Sequence, residues 1–188
     1  IQLIEKYGTL DISTNGTFAN CTNLNTTATD APTISSTDLL VTFIGCASLT
    51  TPDFSGWDVS NVTSFDQMFR NCTSLTEAGI NSIAGWDVGS GQDFSTMLRG
   101  VPNIGSLDLS GWDITSATTF AGFIPSVSLS TANYDALLIS WAAQSFILNA
   151  QTATFGGSTY TGGGTAAAAR ATLEAGKGGW NISDGGVA

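Results

Sequence analysis

A chain of 188 residues that is 42% hydrophobic and only 11% charged has the material for one packed domain or a short repeat array. Five Lys and Arg against fifteen Asp and Glu give a formal net charge of −10, and the cations Lys6, Arg70, Arg99, Arg170 and Lys177 stand singly, which excludes nucleic acid and an anionic membrane surface as partners. The absence of histidine removes Ser–His and Cys–His nucleophile pairs and most transition-metal sites.

In chain order, residues 1–9 (IQLIEKYGT) read as an N-terminal tether or stub. Two degenerate units follow: GTFANCTNL, with Phe18 and Cys21, and LLVTFIGCASL, with Leu39, Phe43 and Cys46. Three fuller units come next: FSGWDVSNVTSFDQMFRNC, IAGWDVGSGQDFSTMLRGV and LSGWDITSATTFAGFIPSV. They place Phe65, Phe94 and Phe120 eight residues after Trp57, Trp86 and Trp112. A large apolar residue follows four later (Phe69, Leu98, Ile124) and a smaller one three after that (Cys72, Val101, Val127). The Cys/Val column runs 21, 46, 72, 101, 127. This is an internal repeat, occupying residues 10–130. Residues 131–188 read as a C-terminal cap. Tyr134, Leu137, Leu138 and Trp141 lie at helical spacing, and TAAAARATLEA (165–175) is a strong helix former between Thr165 and Gly176.

The +8, +12, +15 spacing predicts a short helix in each unit, and stretches such as Leu107-Asp108-Leu109 predict a brief strand before it. One such unit cannot bury its apolar face alone, so the units must stack. The expected fold is an α/β repeat: a solenoid of about five short strand–loop–helix units closed by an α/β cap.

SGWDVSNVTSFDQMFRNCTSLT closely resembles the BspA-like class of leucine-rich repeats of bacterial surface proteins and some phage-encoded proteins. Their unit reads L-x-L-S-x-W-D-x-S-x-V-T-x-M-x-x-M-F-x-x-C-x-S-L. Residues 54–75 match it almost throughout, 107–127 match its first half, 83–104 match loosely, and 10–53 keep only the F-x-x-C-x-x-L tail. The resemblance implies a right-handed leucine-rich-repeat solenoid displayed on a surface, and names no ligand.

The candidate chemistry is better accounted for by structure. Cys21, Cys46 and Cys72 share a column with valines, so they read as buried free thiols and not as metal ligands or disulfides. Asp58, Asp87 and Asp113 follow the tryptophans and read as acceptors of backbone N–H groups in their own loops and not as calcium ligands. Trp57, Trp86 and Trp112 read as core columns and not as a carbohydrate-stacking ridge. No G-x-S-x-G, no phosphate loop and no facing carboxylate pair is present, so no catalytic residue, metal or cofactor is expected.

Ser and Thr supply 47 residues and Asn eleven, a composition suited to the extracellular space, a cell surface or a virion surface. The expected function is a non-catalytic, surface-displayed binding module for attachment or protein–protein contact, its partner another protein or a surface glycan. The alternative is a structural virion component (decoration, fibre or tail protein) or a filament subunit, its partner its own assembly.

Overall fold

The computed structural model describes residues 3–145, 151–176 and 179–188. Ile1 and Gln2 of the expected tether, and Lys177, lie outside the described residues. In chain order the elements are β1 (Leu3–Ile4), β2 (Asp11–Ile12), β3 (Asn25–Thr26), β4 (Thr33–Ile34), α1 (Glu77–Asn81), α2 (Thr131–Ala143), β5 (Thr152–Thr154), β6 (Thr159–Tyr160), α3 (Thr165–Gly176), β7 (Asn181–Ser183) and β8 (Gly186–Val187). The strands pair as two-stranded parallel sheets: β1 with β3, β2 with β4, β5 with β7 and β6 with β8.

This overturns the expected solenoid of strand–loop–helix units. Eight of the eleven described elements are short strands in small parallel sheets, and α1, five residues long, is the one α-helix described between residues 10 and 130. Leu107–Leu109 is not a strand either; Leu107 N–H bonds Ile104 and Trp112 N–H bonds Leu109, which are turns.

The reason lies in the backbone of the F-x-x-M-F-x-x-C segments. Phe65, Met68, Phe69 and Cys72 are all buried and sit at i, i+3, i+4 and i+7, the template of an amphipathic helix. Yet Gln67 and Asn71 have φ of 58° and 62°, left-handed values that no α-helix contains. Met68, Arg70 and Cys72 donate to the carbonyls three residues back, at Phe65, Gln67 and Phe69. The intervening N–H groups leave the unit: Phe65, Gln67, Phe69 and Asn71 donate to Asp93, Ser95, Met97 and Arg99, at 2.7–3.0 Å. The segment is therefore a ribbon of turns, two residues inward and two outward. Its period of four matches the helical period of 3.6 over two turns.

Equivalent ladders join the other units. Gly16, Phe18 and Asn20 donate to Leu40, Thr42 and Ile44; Leu39, Val41, Phe43 and Gly45 to Ser64, Asp66, Met68 and Arg70; Phe94, Thr96 and Leu98 to Thr119, Ala121 and Phe123. Isolated parallel bridges run through Asp38, Ser64, Asp93 and Thr119. The ladder holds equivalent rings in register. Phe18, Phe43 and Phe69 stack with centroids 5.2 and 5.7 Å apart; Phe65, Phe94 and Phe120 stack at 5.1 and 4.8 Å. Offset stacks of this kind add to the burial of area itself.

The step from Cys72 to Val101 is 29 residues, against 25 or 26 elsewhere, and the extra residues form α1. Thr76 caps it, its hydroxyl accepting from Gly79 N–H at 3.3 Å. In the C-terminal region, α2 buries Tyr134, Leu137, Leu138 and Trp141 against the preceding unit. Arg170 on α3 pairs with Asp184 at 2.8 Å and Glu174 at 2.7 Å, and Tyr134 donates to Asp184 at 2.7 Å.

Val41 holds φ at 54°, where β-branched side chains are strained, while Asn20 and Asn71 carry positive φ one turn later in neighbouring units. Val41→Asn is expected to stabilise by about 0.5–1 kcal/mol, because asparagine tolerates the left-handed region. Thermal melts check this: Tm rises by roughly 1–4 °C, and a drop removes the strain argument.

Candidate binding surface

The ladder divides each unit into an inner and an outer row. Inner positions repeat: Leu39, Phe65, Phe94 and Phe120 occupy one column and Phe43, Phe69, Leu98 and Ile124 another, all buried. Most outer positions do not repeat; the exceptions are Arg70 with Arg99 and the left-handed turn position held by Asn20, Gly45, Asn71 and Gly100. One outer row reads Leu40, Asp66, Ser95, Ala121; the next reads Val41, Gln67, Thr96, Gly122; a third carries Ile44, Arg70 and Arg99. These side chains are half-buried, except the exposed Arg99, and neighbouring rungs lie about 4.8 Å apart, the spacing of paired strands. The outer face is thus a rigid grid carrying an acid, two cations, an amide, hydroxyls and aliphatic groups.

Part of that grid is preordered. Gln67 donates to Asp66 at 3.0 Å and accepts from Arg70 at 2.6 Å. Thr96, one unit on, donates to the other Asp66 oxygen at 3.1 Å. Sequence reasoning did not single out these residues. The available signal was the contrast itself: positions that vary between units beside positions that do not.

The residues singled out from sequence are structural. Trp57, Trp86 and Trp112 are buried, and the structure brings them into columns. Trp86 Nε1 donates to the Phe54 carbonyl at 2.8 Å, Trp112 to Ile83 at 3.2 Å, and Trp141 of α2 continues the series to Leu109 at 3.1 Å. Trp57 Nε1 is buried with no hydrogen-bond partner.

Asp58, Asp87 and Asp113 are exposed and each accepts the N–H two residues on, from Ser60 (3.2 Å), Gly89 (3.2 Å) and Thr115 (2.9 Å). Asp53 and Asp108 do the same with Ser55 and Ser110. The Ser60 hydroxyl and N–H hold the Asp58 carboxyl below its usual range, and the Ser55 pair does so for Asp53. No three His, Cys, Asp or Glu side chains gather as a metal site among the described residues.

Cys46 and Cys72 are buried and their thiols donate to the Phe18 and Phe43 carbonyls of the preceding unit, both at 3.1 Å. Cys21 is half-buried. Burial pushes the Cys46 thiol up to about 12 and raises Cys72 as well. A thiol reagent at pH 8 is therefore expected to label Cys21 quickly, and Cys46 and Cys72 only on unfolding. Rapid native labelling of all three contradicts the packing.

The raised thiol values also fix a pH dependence. A folded state that prefers the neutral thiol keeps its full stability below the unfolded value of 9.0 and loses it between that and about 12. Cys46→Val, the residue type found in this column at Val101, should make the alkaline loss shallower in melts at pH 8 to 11. An unchanged slope places the lost stability elsewhere.

A family model described as "Mycoplasma protein of unknown function, DUF285" matches residues 2–81 and, in a second overlapping alignment, residues 37–144. Overlapping matches are what an internally repeating chain allows. No curated protein and no solved structure gives a significant match.

Proposed function

Because the chain belongs to the DUF285 family, whose match is consistent with the BspA-like surface repeats, we propose that it is a non-catalytic binding module displayed on a cell or particle surface, working in attachment or protein–protein contact. The observation that carries this reading is the ladder face: a rigid backbone grid whose inner positions repeat for packing and whose outer positions mostly differ from unit to unit. A contact surface needs many weak, individually placed groups, and loses less entropy on binding when its scaffold is already ordered. Asp66, Arg70, Ser95, Thr96 and Arg99 would supply hydrogen bonds and charge, and Leu40, Val41 and Ile44 apolar contact.

The partner in this proposal is another protein or a surface glycan. With a formal net charge of −10 the module repels acidic surfaces, so a neutral glycan or a basic protein suits it. No described helix is long and apolar enough to cross a membrane.

The test is a glycan panel and a panel of purified extracellular proteins, screened with the chain and with Asp66→Ala, Arg70→Ala and Arg99→Ala. A saturable interaction of about 1–100 µM that each ladder-face variant weakens, while Asp58→Asn and Asp113→Asn leave it unchanged, supports the proposal. Absence of saturable binding, with light scattering showing a defined oligomer or filament, overturns it in favour of a structural role in an assembly.

A further inference from the structure

Arg70 and Arg99 each stand alone in the sequence, and the ladder brings them together. Leu39 N–H bonds the Ser64 carbonyl beside the Asp38–Ser64 bridge. In the same relation Gly45 N–H bonds Arg70 and Asn71 N–H bonds Arg99, which sets Ile44, Arg70 and Arg99 on successive rungs of one outer row. Two guanidinium-bearing side chains on adjacent rungs repel each other. No carboxylate of the chain offsets this: among the described residues the ion pairs are those of Arg170 with Glu174 and Asp184, although the sequence holds fifteen Asp and Glu. Arg70 Nη1 donates to the Gln67 amide oxygen, and the same amide donates to Asp66, whose other oxygen accepts from Thr96. Gln67 thus fixes the Arg70 side chain without neutralising it. Arg99 is exposed and its side chain makes no hydrogen bond or ion pair with the described residues. Asn71, also exposed, completes the cluster. Its amide lies over Gly100, where a Cβ would come within 2.8 Å of Asn71 Oδ1, so only glycine leaves that amide its place beside the two arginines.

We propose that the Arg70–Arg99 pair binds the carboxylate of one acidic sugar residue in an otherwise neutral glycan. The proposal rests on the ladder-face reading and names the ligand for it. A carboxylate matches the planar guanidinium fork and neutralises the repulsion between the two side chains. Asn71 is placed to exchange hydrogen bonds with a ring hydroxyl, and the half-buried Ile44 on the preceding rung offers an aliphatic surface to the C–H face of a sugar. Two cations serve one carboxylate and not a polyanion, which the formal net charge of −10 repels. A protein carboxylate fits less well. Protein contacts are built around a desolvated apolar or aromatic centre, and the exposed large hydrophobic residues, Leu3, Ile139 and Val187, do not belong to the ladder rows.

The test is titration calorimetry at low ionic strength, where screening is least. The probes are neutral oligosaccharides each ending in one uronic or nonulosonic acid residue, the same oligosaccharides with that carboxyl reduced to the alcohol, and a neutral peptide carrying one Asp. Saturable binding of an acidic oligosaccharide is expected, with Kd of about 0.1–1 mM. Carboxyl reduction, Arg70→Gln and Arg99→Gln should each weaken it about tenfold or more, because each removes one side of a charge-assisted contact. Without ligand, Arg99→Gln should leave Tm unchanged or raise it, since one of two repelling charges is gone. The proposal is overturned if no acidic oligosaccharide binds, if the reduced forms or the Asp peptide bind as tightly, or if Arg99→Gln lowers Tm, which would give Arg99 a structural role. Binding of the reduced forms that Asp66→Ala, Arg70→Ala and Arg99→Ala still weaken would overturn this proposal alone and leave the ladder-face reading standing.

Discussion

Trp86→Ala is expected to cost about 3–5 kcal/mol, a large share of a domain's total stability. Trp86 is 4% exposed, packs on Phe54, Phe65 and Phe69 with centroids 6.2, 6.0 and 6.3 Å away, and bonds the Phe54 carbonyl. Truncation opens a cavity between two units and removes one of the two donors to that carbonyl, which keeps the Trp57 N–H at 3.0 Å. The corresponding fall in Tm is about 6–20 °C, measured by calorimetry. A paired comparison separates packing from the hydrogen bond. Trp86→Phe loses both bulk and bond, whereas Trp57→Phe removes an indole N–H that has no partner. Trp57→Phe should therefore be the milder by about 1 kcal/mol. Equal costs would mean that the indole bond contributes nothing, and a Trp86→Ala protein melting at the wild-type temperature would mean that the column is not core.

Gly156→Ala is the second large effect. Gly156 has φ of 56°, and a Cβ there would overlap the carbonyl oxygens of Val127 and Ile124, backbone atoms that cannot swing aside. The left-handed conformation alone disfavours alanine by about 1–2 kcal/mol, and the overlap adds to it, so a loss of roughly 3 kcal/mol or more is expected. Gly163→Ala is the control. It shares a positive φ of 69° but its Cβ would meet nothing within 4 Å, so it should lose only the conformational part. If the two variants melt together, the turn following Phe155 does not approach the Ile124–Val127 segment closely.

What the sequence made legible was whatever depends on burial alone. The inner columns, the tryptophans, the α2 face at Tyr134, Leu137, Leu138 and Trp141, and the Asp-led loops all follow from side-chain chemistry and fixed spacing. The backbone between them did not follow. Apolar residues at i, i+3, i+4 and i+7 fit a helix and a two-in, two-out ribbon equally, and the helix is the commoner answer. A distinguishing signal was present. The residue ahead of the Cys/Val column is Asn20, Gly45, Asn71 and Gly100 in successive units, each with positive φ. Asparagine and glycine are the residues that adopt the left-handed region most readily, and their recurrence inside an apparent helix marks a turn. The ladder face was hidden for a different reason: its outer rows other than that turn position vary from unit to unit, so no repeated motif points to them.

The directional ladder underlies the corrected fold and the binding face together, and scalar couplings across hydrogen bonds test it most directly. The account predicts correlations from the Phe65, Gln67 and Phe69 amides to the carbonyls of Asp93, Ser95 and Met97. Correlations from the Phe69 and Cys72 amides to carbonyls four residues earlier in the same unit would contradict it, because they would restore a helix where the ribbon is described.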